Sequence, residues 1–467
     1  MIKRLTLSLL AAGVISGCSL APTYQRPDAP VANAYPTQAS EKAGDASAIG
    51  WRDFFPDPRL QNLIATAIEN NRDLRMAALR IEEARAQYNV QSADLLPNFN
   101  GTATGSRART PGSLTLTGNP AVSSSYQVGL SLASFELDFF GRVRSLNDAA
   151  LAQYLATEEA ARAARISLVA EVAKAYLNER SLAEQYELAR KTFESRESYY
   201  KLAKQRFDVG ATSALDLRQN EILAQTARAS MVSLARQRAQ AINALTLLVG
   251  KPLEPVTTER SLDEQKIVTD IPAGLPSDLL ARRPDIRAAE QRLKSANANI
   301  GAARAAFFPR ISLTGSVGTA SNELSGLFDS GSRAWSFSPQ LVLPIFDAGR
   351  NSANLSLAEV RKNIAVADYE KSIQVAFREV ADALAARATL DEQIDAQRAV
   401  QEAQADRLRL ADLRYKNGVA SSLDLLDAQR DLFSAQQSLI QARQLRLTNA
   451  IDLYRALGGG LKEAAAK

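Results

Sequence analysis

Two hydrophobic rhythms alternate along the 467 residues, and each occurs twice. The longer stretches lack Gly and Pro and place apolar residues at steps of three and four. Val169, Val172 and Tyr176 mark this spacing in 142–209; Phe377, Val380 and Leu384 mark it in 350–417. Both runs hold 68 residues. A continuous helix of that size would reach ~100 Å, far beyond the usual globular helix. Three-and-four spacing over such a span is coiled-coil spacing. A plain amphipathic bundle would show it too, but the equal lengths favour one shared span. A tight turn follows each run, at 208–213 and 416–421, and a second Gly/Pro-free run of 39 residues stops before Gly250 and Gly458. Each return is too short to retrace the long helix. In the first half a further run, 59–96, adds 38 residues, so two short helices are expected end to end beside the long one. The matching run of the second half, 285–308, has 24 residues and contains Gly301, which predicts a less regular stack there.

Between the short and long helices the period drops to two. Ile311, Leu313, Gly315 and Val317 alternate in 311–320, and Trp335, Phe337, Pro339, Leu341, Leu343 and Ile345 in 333–346. The first half has its counterpart at 98–106 and 125–139, and Gly/Ser/Thr-rich loops at 107–124 and 321–332 close two hairpins. Nine to fifteen residues suit a tilted membrane strand. Pro339 and Pro344 argue against a fully paired central strand and predict that its lower part leaves the sheet. Four strands cannot close a barrel, and an open edge in hydrocarbon leaves unpaired backbone groups. A membrane role therefore requires partners: three chains would supply twelve strands and two would supply eight. The alternative is a soluble sheet packed on helices.

The two halves are copies. Leu202, Arg206, Gly210, Ser213, Leu215, Asp216 and Leu217 recur 208 residues later as Leu410, Arg414, Gly418, Ser421, Leu423, Asp424 and Leu425. Gly141 and Arg142 recur as Gly349 and Arg350 at the same offset, while Arg75, Pro97 and Thr102 recur as Arg287, Pro309 and Thr314 at 212. The chain thus reads as two tandem repeats, 59–250 and 285–458, joined by a linker at 251–284 and followed by a tail at 459–467.

Composition narrows the function. Apolar residues make up 46% and aromatic residues 6%, a balance that fits Ala- and Leu-rich helices. The chain has no histidine and one cysteine, Cys18. That excludes a His-ligated or Cys-cluster metal site, a Ser-His-Asp triad, a Cys-His pair and internal disulfides. No residue is assigned a catalytic role, and no cofactor or metal is expected. Residues 1–17 carry Lys3 and Arg4, a short apolar run and a small-residue end, which is a secretory signal rather than a membrane span. Its removal lowers the formal charge from +5 to about +3, spread along the helices with acidic neighbours, so nucleic acid is not an expected partner. Ile15-Ser16-Gly17-Cys18 resembles a bacterial lipobox, which would make Cys18 the acylated first residue, with Ser19 implying sorting to the outer membrane.

With the lipobox, the segments 19–30, 49–60, 135–145, 275–286, 301–315 and 422–430 (SLDLLDAQR) resemble the outer-membrane factor family, nearest to the OprM-type lipoprotein channels. The resemblance covers almost the whole mature chain. It implies a fold that is mainly α with a membrane β-barrel, assembled as a homotrimer with twelve strands and a periplasmic α-helical barrel. It also implies a lipid-anchored outer-membrane location, with residues 18–58 as the lipidated N-terminal and equatorial segment. The implied partners are a periplasmic adaptor and an inner-membrane drug/proton antiporter, docked through the tip turns at Gly210, Thr212, Ser213, Gly418, Ala420 and Ser421.

Carried over by position, Leu423, Asp427 and Arg430 match the constriction residues of the OprM type. Asp424 matches an acidic ring position of the TolC type. Three copies around an axis would stack Asp424 and Asp427 as cation-favouring rings, which Arg430 would neutralise. Capping is the competing account of Asp424, because Asp216 has the same setting in the first copy. Asp427 breaks the symmetry: its counterpart is Gln219. Other uses of the fold are protein or polysaccharide secretion, or a poreless coiled-coil spacer, against which the strand hairpins argue.

Overall fold

The computed structural model describes residues 19–36, 49–116, 118–254, 261–265, 267–269, 271, 276 and 278–463. The leader at 1–17, Cys18 and the end of the tail lie outside the described residues. Nine helices and four strands are found among them: α1 (Trp51–Phe54), α2 (Pro58–Asn70), α3 (Arg72–Ala93), β1 (Phe99–Thr110), β2 (Ala121–Leu137), α4 (Arg142–Asp208), α5 (Ala214–Val249), α6 (Asp278–Arg282), α7 (Pro284–Ala305), β3 (Arg310–Ser321), β4 (Arg333–Val342), α8 (Arg350–Lys416) and α9 (Ser422–Ala456). Among the described residues no helix is long and apolar enough to cross a membrane.

The chain divides into two units, each assembled from both halves of the sequence. One contains the sheet with residues 80–158 and 288–369 and the segment before Ala29; the other contains 29–79, 159–287 and 370–467. In the first unit the strands form one antiparallel sheet in the order β1-β2-β3-β4, so β1 and β4 are its edges. Pro339 stays within the ladder opposite Leu313, as an edge strand with one pairing side allows, and the expected departure of the lower part falls after it. The strand ends at Val342, before Pro344. The first hairpin is longer than its composition predicts: Arg107 to Thr110 remain paired, and the connection shrinks to 111–120.

In the second unit, Trp51, Phe54, Phe55, Leu60, Ile64, Val172, Leu177 and Ile451 are fully buried, and Tyr454 stacks on Phe54 at 4.0 Å. Two helix joints there share a design. Asn71 interrupts 59–96 in extended conformation, accepting from the Leu74 amide at 2.9 Å and donating to the Leu248 carbonyl at 2.9 Å. Arg283 occupies the corresponding place before α7 and donates to the Ala456 carbonyl at 3.1 Å. Gly250 and Gly458, at φ +76° and +83°, let the ends of α5 and α9 abut the carbonyls of Asn70 and Arg282. The helices that follow these joints, α3 and α7, both have 22 residues, so the two copies differ less in length than their Gly/Pro-free runs predict. Gly301 is accommodated within α7. The difference from expectation arises because Asn71 serves as a helix cap, which the absence of Gly and Pro hides.

Candidate functional site

The four-stranded sheet has two chemically opposed faces. Strand alternation places Phe99, Val128, Leu130, Leu132, Val317, Trp335, Phe337 and Leu341 on one face. Asn100, Thr102, Thr104, Gln127, Ser131, Ser316, Ser336 and Ser338 occupy the other, where Ser316 and Ser336 hydrogen-bond at 2.8 Å. The apolar face is uncovered: Trp335 is 75% exposed and Leu341 62%. At the end where the sheet meets the helices, Phe139, Phe307, Phe308, Ile345 and Phe346 are also exposed. Exposed aromatic residues at the border of an apolar band are the pattern of a membrane interface. At that border Glu136 is held by Arg142 at 2.7 Å and Arg310 at 2.6 Å, tying β2 and β3 to the start of α4.

The second feature is the pair of tip turns, both in the second unit. Gly210 (φ +73°) ends α4: its amide donates to the Phe207 carbonyl and the Ala211 amide to that of Arg206. Gly418 (φ +72°) ends α8 in the same way, with bonds to the Tyr415 and Arg414 carbonyls. This is the glycine-terminated Schellman closure. Ser213 then caps α5 by accepting from the Asp216 amide at 3.1 Å, and Ser421 caps α9 by accepting from Asp424 at 3.4 Å.

Beyond this shared frame the tips differ. Asp216 accepts from Thr212 and Ser213 at 3.1 and 2.8 Å, and from Ser422 of the other tip at 2.5 Å. These hydroxyls, Ser422 first, hold the Asp216 carboxyl below the usual range. Among the described residues Asp424 is bonded to its cap Ser421 alone. Asp427 pairs with Arg430 at 3.1 Å, and Arg430 also reaches Asp431 at 3.5 Å. Leu423 is half-exposed, whereas Leu425, Leu426 and Ala428 are buried. Leu423, Asp427 and Arg430 thus share the outer stripe of α9 at steps of four and three. Ala420 lies at the tip without a side-chain bond to the other turn.

Other links between the tips escaped the sequence reading. Tyr199 donates to Asp412 at 3.1 Å, and Arg206 to the Tyr415 hydroxyl at 3.3 Å. Arg196 is 4% exposed, donates to the Gln429 carbonyl at 3.3 Å and lies over the Phe433 ring. Burial, reinforced by Arg430, lowers its pKa. Their signal was present as departures from the repeat: Arg196, Tyr199 and Ser422 correspond to Gln404, Arg407 and Ala214.

A sheet with one greasy and one hydroxyl-lined face, in a chain that also forms two very long helical hairpins, defines a class of membrane channel subunit. The family profile described as outer membrane efflux protein matches residues 63–251 and 275–459. The chain is 52% identical over 458 residues to outer membrane protein OprJ of Pseudomonas aeruginosa, covering 98% of this chain and 96% of that one. It is 47% identical over 478 residues to the probable efflux pump outer membrane protein TtgC of Pseudomonas putida, covering 99% and 97%. The solved open state of the MtrE outer membrane channel of Neisseria gonorrhoeae superposes with a TM-score of 0.88 at 46% identity, covering 96% of this chain and all of that one. The chain belongs to the outer membrane efflux protein family. It is an outer-membrane protein of an efflux pump, and its family and solved neighbours are channels rather than enzymes.

Proposed function

We propose that three copies of this chain close a twelve-stranded β-barrel in the outer membrane, continued by a periplasmic α-helical barrel. The assembly acts as the passive exit duct of a tripartite multidrug pump of the resistance-nodulation-division type. The observation that carries the reading is the sheet: one face matches hydrocarbon, the other matches water, and both edges are open. Backbone groups at those edges need partners inside a membrane, and further copies supply them. Tandem repeats of strand hairpin and long helical hairpin give each copy its share of both barrels. Removal of 1–17 and acylation of Cys18 would anchor each copy to the inner leaflet.

The second tip forms the periplasmic gate. Leu423 supplies an apolar constriction, Asp424 and Asp427 supply anionic rings, and Arg430 ties the rings across helices. The tip turns at Gly210, Thr212, Ser213, Gly418, Ala420 and Ser421 dock a periplasmic adaptor, which couples the duct to an inner-membrane drug/proton antiporter. A deletion strain complemented with this chain and candidate adaptor and antiporter pairs tests the reading. Drug resistance should return only with a full set; resistance restored without any adaptor would overturn it.

A further inference from the structure

The loop end of the sheet carries charge on the face that the proposed barrel turns toward lipid. Arg107 and Arg109 continue the alternation that begins at Phe99, and Arg333 opens the β4 face that continues through Trp335 and Phe337. All three are exposed, and among the described residues none makes an ion pair or a side-chain hydrogen bond. The hydroxyl face has Ala108, Thr110 and Ala334 at the same level and no cation. The acids nearest Arg333 in sequence, Asp329 and Glu323, lie in the turn between β3 and β4 and pair with none of these arginines among the described residues. Cations selecting a solute would face the lumen; these do not.

Their distribution between strands adds a second constraint. β1 and β4 are the two edges of the sheet, and both bring their arginines to the loop end. In the barrel proposed above, on which this inference rests, the β4 edge of one copy meets the β1 edge of the next. Each junction then gathers three guanidinium groups from two copies on its outer face. Like charges on neighbouring strands oppose pairing, and hydrocarbon on one side deprives them of water. An anion with several oxygen atoms removes both costs at once, because guanidinium forks bind phosphate in bidentate fashion. Trp335, two residues from Arg333 on the same face, places an interfacial aromatic residue just inside the charged rim.

We propose that Arg107, Arg109 and Arg333 form a phosphate-binding rim for the phosphorylated glycolipid of the outer leaflet, one site at each junction between copies. The occupant is a lipid headgroup rather than free phosphate, since the site is continuous with the exposed apolar face that would receive the acyl chains. The purified oligomer, probed by native mass spectrometry with bis-phosphorylated lipid A, should retain the lipid at least about tenfold more tightly than the R107Q/R109Q/R333Q variant. The R107K/R109K/R333K variant should recover most of the binding, and lipid A stripped of phosphate should bind the parent weakly. Equal retention by parent and glutamine variant would overturn the proposal, as would equal affinity for phosphatidylglycerol or inorganic phosphate. If the triple glutamine variant does not assemble, Arg333→Gln and Arg107→Gln separately should each lose part of the binding, and full binding by both refutes it. Failure of the parent to form a conducting oligomer would instead sink the barrel itself, which separates the two claims.

Discussion

The hydroxyl of Ser422 donates to the carboxylate of Asp216 at 2.5 Å, joining two tip turns that lie 206 residues apart in sequence. This bond fastens the first turn of α9, which carries the proposed gate residues, to the cap of α5. Ser422→Ala removes the donor and leaves both local caps intact. In planar bilayers the variant should open more often than the parent by a few-fold, and Ser422→Thr should behave as the parent does. The carboxyl of Asp216 is held low, so the tie is fully present at neutral pH and fades as acid protonates it below the ordinary range near ~4. The parent's open probability should therefore approach that of Ser422→Ala only at strongly acidic pH.

Asp427 and Arg430 form an ion pair on the exposed side of α9, 3.1 Å apart. Within a ring of three copies, loss of the acid would leave Arg430 to Asp431 alone and widen the constriction. Asp427→Ala should raise single-channel conductance of the isolated channel, and conductance no greater than the parent's would place the constriction elsewhere.

The Arg283 side chain is 8% exposed and bonds Asp285, Glu379 and the Ala456 carbonyl. Arg283→Met would leave the joint's carboxylates underpaired and should cost about 3 kcal/mol. A drop in the thermal unfolding midpoint followed by circular dichroism checks this, and Arg283→Lys should recover part of the loss. Burial alone would raise the Asp285 pKa, but the Arg283 guanidinium outweighs it and holds the carboxyl low. This stabilisation is complete above the ordinary aspartate range and is lost as pH falls through the depressed value. The parent should lose more stability in acid than Arg283→Met does.

Arg26 and Tyr24 both engage Glu290, at 2.8 and 3.1 Å, and Asn297 donates to the Pro22 carbonyl at 2.7 Å. The N-terminal segment is thereby strapped along α7, six residues short of β3 at the Arg304 contact with Leu20. Glu290→Ala should loosen the strap by about 2 kcal/mol and make Arg26 cleavable by trypsin at a rate measured by limited proteolysis, with the rest of the oligomer intact.

Much of the architecture is local in origin and was legible in the sequence. The two-residue alternation of β3 and β4 sorts Trp335 from Ser336 whatever lies beyond, because successive strand residues point to opposite faces. The 67-residue spans of α4 and α8 follow from uninterrupted helical spacing, and Gly210, Ser213, Gly418 and Ser421 punctuate them by short-range turn chemistry. Asn71 shows the limit of such reading, since an asparagine permits a helix until its side chain finds a better use as a cap. What only the tertiary structure decided is which distant groups meet. Burial of Arg196 against Gln429, the Ser422 bond to Asp216 and the matching of Asn71 with Leu248 and Arg283 with Ala456 all depend on the axial register of packed helices. Helix periodicity sets which face of each helix turns inward, but leaves sliding along the axis undetermined until side chains interlock.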